Sequence, residues 1–276
     1  MTHQNTRQHF IDEGQGSPIL CVHGNPTWSF YYRHLISQLT SHFRVIAVDH
    51  VGCGLSDKPQ HYNYCLQQHI DNLVTLIDHL QLKKLTLVAH DWGGAIGLGA
   101  LLKRKENFSR IVLLNTGAFP PRFIPFRIRV CRWPIFGEVA VRGFNAFARA
   151  AVTMATEQKR GLPRQIAEGL LHPYQSWADR VAIHQFVKDI PLDQNHKTWG
   201  VLQQIESKFE ELVDWPIQLI WGMKDWCFRP ECLNRFISHW PNAKVLRLPN
   251  AGHYVLEDAP VEVSQTISQF LDRNHG

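Results

Sequence analysis

The sequence contains no run of eighteen apolar residues, the length a helix needs to cross a bilayer. Its first residues, MTHQNTRQHFIDEG, are polar and lack the apolar core of a secretory signal. Together these absences predict a cytoplasmic protein with no integral membrane association. Lysine-rich tails and blocks of like charge are also missing. A formal charge of +5 over 276 residues is modest and reads as spread out, which argues against nucleic acid as a partner. The six cysteines, Cys21, Cys53, Cys65, Cys131, Cys227 and Cys232, form no CxxC pair, and no His/Cys/Asp cluster has metal-ligand spacing. Neither a metal nor an organic cofactor is expected. The loop Asp49 to Asp57 contains a G-x-G, but the third glycine of a dinucleotide fingerprint is absent, which counts against a nucleotide site.

What is present reads as one enzyme domain with an insertion, since 44% hydrophobic and 19% charged residues are ordinary for a globular chain. Short apolar runs at Pro18 to Val22, Arg44 to Val48, Leu85 to Ala89, Arg110 to Leu114, Ile217 to Trp221 and Lys244 to Leu248 predict strands. Helical patterns near Phe30 to Thr40, Cys65 to Leu80, Gly94 to Lys105, Pro230 to Trp240 and Pro260 to Arg273 alternate with them. The fold class is therefore α/β: a mostly parallel central sheet with helices on both faces. Between Thr116 and about Asp214 the alternation stops and the chain reads as helical, punctuated by prolines. The expected division is a core of residues 1–115 and 215–276 with a helical cap, 116–214, over the C-terminal edge of the sheet, where ligands of such folds bind.

The most informative segment is Val88-Ala89-His90-Asp91-Trp92-Gly93-Gly94. It sets a carboxylate at a sharp strand-to-helix turn, flanked two residues away by the small Ala89 and Gly93 that such a turn demands. In the G-x-S-x-G elbow the central residue is a nucleophilic serine. A carboxylate there changes the chemistry toward attack on saturated carbon, giving an ester of the enzyme. An aspartate acting only as a helix N-cap would have the same neighbours. His253, in Asn250-Ala251-Gly252-His253-Tyr254, comes late in the chain, and Asp225 follows the strand ending at Trp221; this is the order nucleophile, acid, base. After the first predicted strand, His23-Gly24-Asn25-Pro26-Thr27-Trp28 offers a backbone N–H and the Asn25 amide, while Trp92 adds an indole N–H that can only donate. Two donors beside an attacking carboxylate suit a leaving group that departs as an anion.

HGNPTWS, VAHDWGG, WGMKDWCF and NAGHYVLEDAP together resemble the haloalkane dehalogenase family of α/β-hydrolases, from about His23 to the C-terminus. The resemblance implies Asp91 as nucleophile, His253 as base, and Asn25 and Trp92 as the halide or leaving-group pair. It also implies backbone N–H groups of Asn25 and Trp92 as the oxyanion site. The family acid follows one of two core strands; Arg110 to Val130 contains no Asp or Glu, so the role passes to Asp225. The implied reaction is hydrolysis of a carbon–halogen bond in an apolar haloalkane through an Asp91 alkyl ester. The same combination resembles the subfamily containing β-lactone decarboxylases of olefin synthesis, which would turn a dialkyl β-lactone into alkene and carbon dioxide. A binding protein without catalysis would be expected to lose part of the triad, and all three residues are present. Epoxide hydrolases of this fold use two cap tyrosines, whereas Tyr174 stands alone between Thr116 and Asp214.

The cap's aromatic content predicts a greasy pocket, with Phe119, Phe123, Phe144 and Phe147 as candidate lining. Arg127, Arg129, Arg132 and Arg142 read as a solvated face, with a membrane-surface or oligomer contact as the alternative. The expected partners are a small apolar substrate and halide; homo-oligomerisation stays open.

Overall fold

The computed structural model describes residues 2–3 and 6–272; Arg273, where the last helix was expected to end, lies outside them. Seven strands form the central sheet: β1 (Phe10–Glu13), β2 (Pro18–Val22), β3 (Arg44–Val48), β4 (Leu85–Asp91), β5 (Phe108–Thr116), β6 (Ile217–Gly222) and β7 (Lys244–Leu248). Their order is β1-β3-β2-β4-β5-β6-β7, parallel throughout except for β1, which pairs antiparallel with β3. β1 escaped the sequence reading because Phe-Ile-Asp-Glu offers no apolar run, and its two acids are exposed at the sheet edge.

Side chains alternate along each strand and so supply two separate cores. Leu20 and Val22 of β2, with Leu85, Leu87 and Ala89 of β4, meet α2 (Leu66–His79) and α3 (Trp92–Lys103). Ile19, Cys21 and Val88 face the opposite way, toward α1 (Arg33–Leu39) and the C-terminal helix Pro260–Asp272. Covered on both faces, the inner strands are built around apolar runs such as Ile111–Leu114 of β5 and Leu219–Trp221 of β6. α3 is likewise buried almost all round, since the sheet lies on one side and α2 on another.

Between β5 and β6 the chain runs through α4 (Phe126–Val130), α5 (Ala146–Met154), α6 (Arg164–Leu171), α7 (Val181–Asp189) and α8 (Lys197–Glu206). α8 does not belong with the other four. It packs on α2 and α3, and its Leu202 and Ile205 join the core beneath the sheet. The boundary expected at Asp214 therefore falls too late, because the helical pattern of α8 continues the insertion in sequence but buries its apolar face in the core layer. The expectation of a solvated arginine face also needs correction. Arg142 is buried, binding Gln60, Glu138 and the Trp177 carbonyl. Arg132 donates to the carbonyls of Val187, Lys188 and Ile190. Only Arg127 and Arg129 of that set are exposed.

Candidate active site

Asp91 ends β4 and immediately precedes α3, at φ 54° and ψ −130°. A non-glycine residue adopts that region only when its surroundings impose it. Here the close approach of Gly93 to the Val22 and His23 carbonyls, where a Cβ would collide, lets the turn pack against β2. The Asp91 side chain makes no cap bond to its own helix, which removes the N-cap reading. Instead Oδ1 accepts the Asn25 backbone N–H at 2.7 Å, and Oδ2 lies 3.5 Å from His253 Nε2. The Asp91 carbonyl is held by the Thr116 hydroxyl at the end of β5.

His253 Nδ1–H donates to Asp225 Oδ2 at 2.8 Å. Asp225 follows β6 and is buried. Its other oxygen accepts the backbone N–H groups of Cys227 at 2.7 Å and Phe228 at 3.1 Å. The imidazole also stacks on Phe228, with centroids 5.6 Å apart. Burial opposes a charge on His253, but the two carboxylates outweigh it and raise its pKa to about 10. Burial likewise works against ionisation of Asp91, and His253 together with the Trp92 backbone N–H overcomes it, holding the carboxyl below its usual range. The resting site is thus a buried ion pair, with imidazolium between two carboxylates.

Several residues that position this site were given no role there by the sequence. Asn115, at the end of β5, donates to Asp225 Oδ2 at 2.9 Å and accepts the Gly222 N–H at 2.7 Å, tying the acid's loop to the sheet. Its signal was a polar residue directly after the apolar run Ile111–Leu114. His90 Nε2–H donates to the His253 carbonyl at 2.9 Å; burial, together with the charge of His253, lowers its pKa to about 3, so it acts as a neutral tether. Asp49 accepts from Ser29 N, Leu55 N and His9, which gives the glycine-rich loop its structural role. Among the described residues no cluster of three or more His, Cys, Asp or Glu side chains is arranged to hold a metal.

A cavity of about 180 Å³ opens above Asp91, lined also by Asn25, Trp92, Phe119, Phe123, Ile128, Phe147, Val187 and Phe228. Asp91, Trp92 and Asn25 are thus brought together at one wall of an apolar chamber; His253 stands behind Asp91 and contributes no lining. The Asn25 amide donates to the Ile183 carbonyl at 3.2 Å while its Oδ1 is buried without a partner. Phe119, Phe123 and Phe147 of the candidate set line the cavity. Phe144 does not: it sits between a π-helical turn, Val139–Gly143, and α5, and is 73% exposed. Aromatic content could not distinguish the two faces of that segment. Val187, Leu202, Cys227 and Cys232 also line it, with Arg122, Arg229, Glu231 and Arg235 among the lining residues, and nothing in their local sequence marked them.

The alpha/beta hydrolase fold model matches residues 17–260. The chain is 40% identical to the cis-3-alkyl-4-alkyloxetan-2-one decarboxylase of Shewanella oneidensis, over 98% of this chain and 87% of that one. It is 32% identical to haloalkane dehalogenase 2 of Mycobacterium bovis, over 95% and 90%. The chain belongs to the haloalkane-dehalogenase-like branch of the α/β-hydrolases. The haloalkane dehalogenase DatA of Agrobacterium tumefaciens C58 shares its fold at a TM-score of 0.90 with 24% identity, covering 99% of this chain and 94% of that one. No helix among the described residues of this α/β-hydrolase is long and apolar enough to cross a membrane.

Proposed function

We propose that this α/β-hydrolase is a β-lactone decarboxylase acting on oxetan-2-ones with alkyl groups at carbons 3 and 4. The observation that carries the reading is the buried Asp91 carboxyl group, 3.5 Å from His253 Nε2, at the wall of an apolar cavity. The greater identity to the decarboxylase, 40% against 32%, favours the lactone over the halide. Asp91 attacks carbon 4 from the side opposite the ring oxygen, forming an enzyme ester and breaking the ring C–O bond. The released carboxylate faces the donors of Asn25 and Trp92. Then the bond from carbon 3 to the carboxylate breaks, its electron pair forms the alkene, and Asp91 departs as carboxylate beside His253. Inversion followed by anti departure converts a cis lactone into a cis alkene. No water is consumed and no proton is lost, so His253 acts as a fixed imidazolium that stabilises the departing Asp91, in keeping with its raised pKa.

The Asn25 and Trp92 pair also favours a second reading, haloalkane hydrolysis, in which the same donors hold a departing halide. Loss of the Asp91 charge on alkylation would lower the pKa of His253, freeing it to activate water against the ester. The two chemistries part at water. Purified protein is given a cis-3,4-dialkyl-oxetan-2-one in one vessel and a bromoalkane in another, both in ¹⁸O-water. Alkene and carbon dioxide with an unlabelled Asp91 support the proposal. Halide release with ¹⁸O in Asp91, and no turnover of the lactone, would overturn it.

A further inference from the structure

The outer face of the segment around α4 remains unexplained by the site. Phe126, Trp133, Ile135 and Phe136 are 69%, 52%, 82% and 57% exposed. Three of them are contiguous, Trp133 lying 6.5 Å from the Phe126 ring and 6.2 Å from that of Phe136. Ile135 holds φ at 61°, a region that a β-branched side chain adopts only under constraint, and there it presents its side chain to solvent. Single exposed apolar residues are commonplace; a contiguous aromatic patch is not.

Charge indicates what covers it. Between Thr116 and Glu157 the chain has six arginines and one acid, Glu138. Glu138 is already paired with Arg142. This one segment therefore carries a net charge as large as the whole chain's +5, so the charge is concentrated rather than spread. Arg127 and Arg129, on the helix that Phe126 opens, are exposed, and the Arg127 guanidinium lies 5.9 Å from the Trp226 ring centroid. The inner side of the same helix supplies Ile128 to the cavity, and Phe123 and Arg122 also border it. We propose that this aromatic and arginine-bearing face docks on an anionic phospholipid bilayer, beside the entrance to the active-site cavity. Aromatic rings at the headgroup level with arginines against anionic lipid form a monotopic contact, distinct from a membrane span. A substrate with long alkyl arms would reach the cavity from the lipid; that consequence rests on the proposed function, whereas the docking itself does not.

Substrate-free protein is sedimented with phosphatidylcholine vesicles and with vesicles containing about one third phosphatidylglycerol, at low and at high salt. Binding to the anionic vesicles, weakened by salt, is the expected result. Arg127→Ser with Arg129→Ser should lower partition by roughly 25-fold, about five-fold per arginine. Trp133→Ser, Ile135→Ser and Phe136→Ser combined should abolish it. Circular dichroism and turnover of a short-chain substrate, both unchanged, show that the variants fold, and the arginine pair serves as the test if the triple variant does not. Wild-type protein remaining in the supernatant with both vesicles would overturn the proposal, as would equal, salt-insensitive binding to both. So would a patch-dependent dimer without vesicle binding, which would assign the face to a second copy. Vesicle binding is measured without turnover, so its failure is distinguishable from failure of the proposed reaction.

Discussion

Replacing Trp92 with Phe removes one N–H and keeps most of the apolar surface that faces the cavity. The ring packs on Phe186, with centroids 5.6 Å apart, so a phenyl group retains much of that contact and the fold should survive with a small loss of stability. If the indole N–H holds the anion that departs as Asp91 attacks, its removal withdraws a hydrogen bond to a charged group. Such a bond contributes about 1.5 to 3 kcal/mol, and each 1.36 kcal/mol is ten-fold in rate. The ester-forming step should therefore slow by roughly ten- to a hundred-fold. Rapid-quench measurement of a single turnover, with intact-protein mass to follow the Asp91 adduct, isolates this step from product release. Iodide or bromide should quench tryptophan fluorescence in the wild type by contact with the Trp92 ring, and Trp92→Phe should lose that component. A single-turnover rate within two-fold of wild type, on lactone and bromoalkane alike, would refute the reasoning: the Trp92 N–H would then contribute nothing to the leaving anion, and Asn25 with the backbone donors would have to account for it.

His253→Phe should accumulate a stable alkyl adduct with a bromoalkane, seen as a mass increase; with a β-lactone it should slow turnover without accumulating an adduct hydrolysable by water. Because the folded-state pKa of His253 is raised to about 10 from an ordinary value of 6.5, the imidazolium contributes stability in full below pH 6.5, and this fades as pH rises toward 10. Urea unfolding of Asp225→Asn should lose much of that slope. Its new amide would also meet donors on either side, since Asn115 and His253 face one Asp225 oxygen while two backbone N–H groups face the other. Asn115→Ala leaves the Gly222 N–H unpaired and should cost about 1 to 3 kcal/mol, read as a lowered Tm. Phe123→Ala should change KM for long-chain substrates, whereas Phe144→Ala should leave both kcat and KM as they are.

The candidate site of this α/β-hydrolase was legible in its sequence wherever a residue type stands at a fixed place in a local pattern. The elbow around Asp91 needs small neighbours and a strand entering a helix, so seven consecutive residues state it. His253 and Asp225 were readable from chain order, and the inner strands from apolar runs that only a sheet covered on both faces can bury. Glu257 and Asp258 were equally acidic and nearer to His253 in sequence. Tertiary structure gives them other partners: Glu257 takes Arg33 in a bidentate pair, and Asp258 takes Thr156 and the Gly252 N–H. Only the assembled sheet brings Asn115 against Asp225 and His90 under the His253 carbonyl, because those contacts join strands and loops over a hundred residues apart.

The insertion resisted reading for a related reason. Its apolar residues satisfy helical periodicity, but periodicity gives a face without saying what that face meets. Phe147 came to line the cavity and Phe144 the solvent, three residues apart, because Asn145, in the left-handed region at φ 54°, turns the chain between them before α5 begins. α8 reads as more of the insertion and yet packs beneath the sheet, since Leu202 and Ile205 find α2 and α3 there. Local sequence determined which groups could react and which elements would form; long-range packing decided which of them share the cavity, because burial and proximity belong to the folded whole.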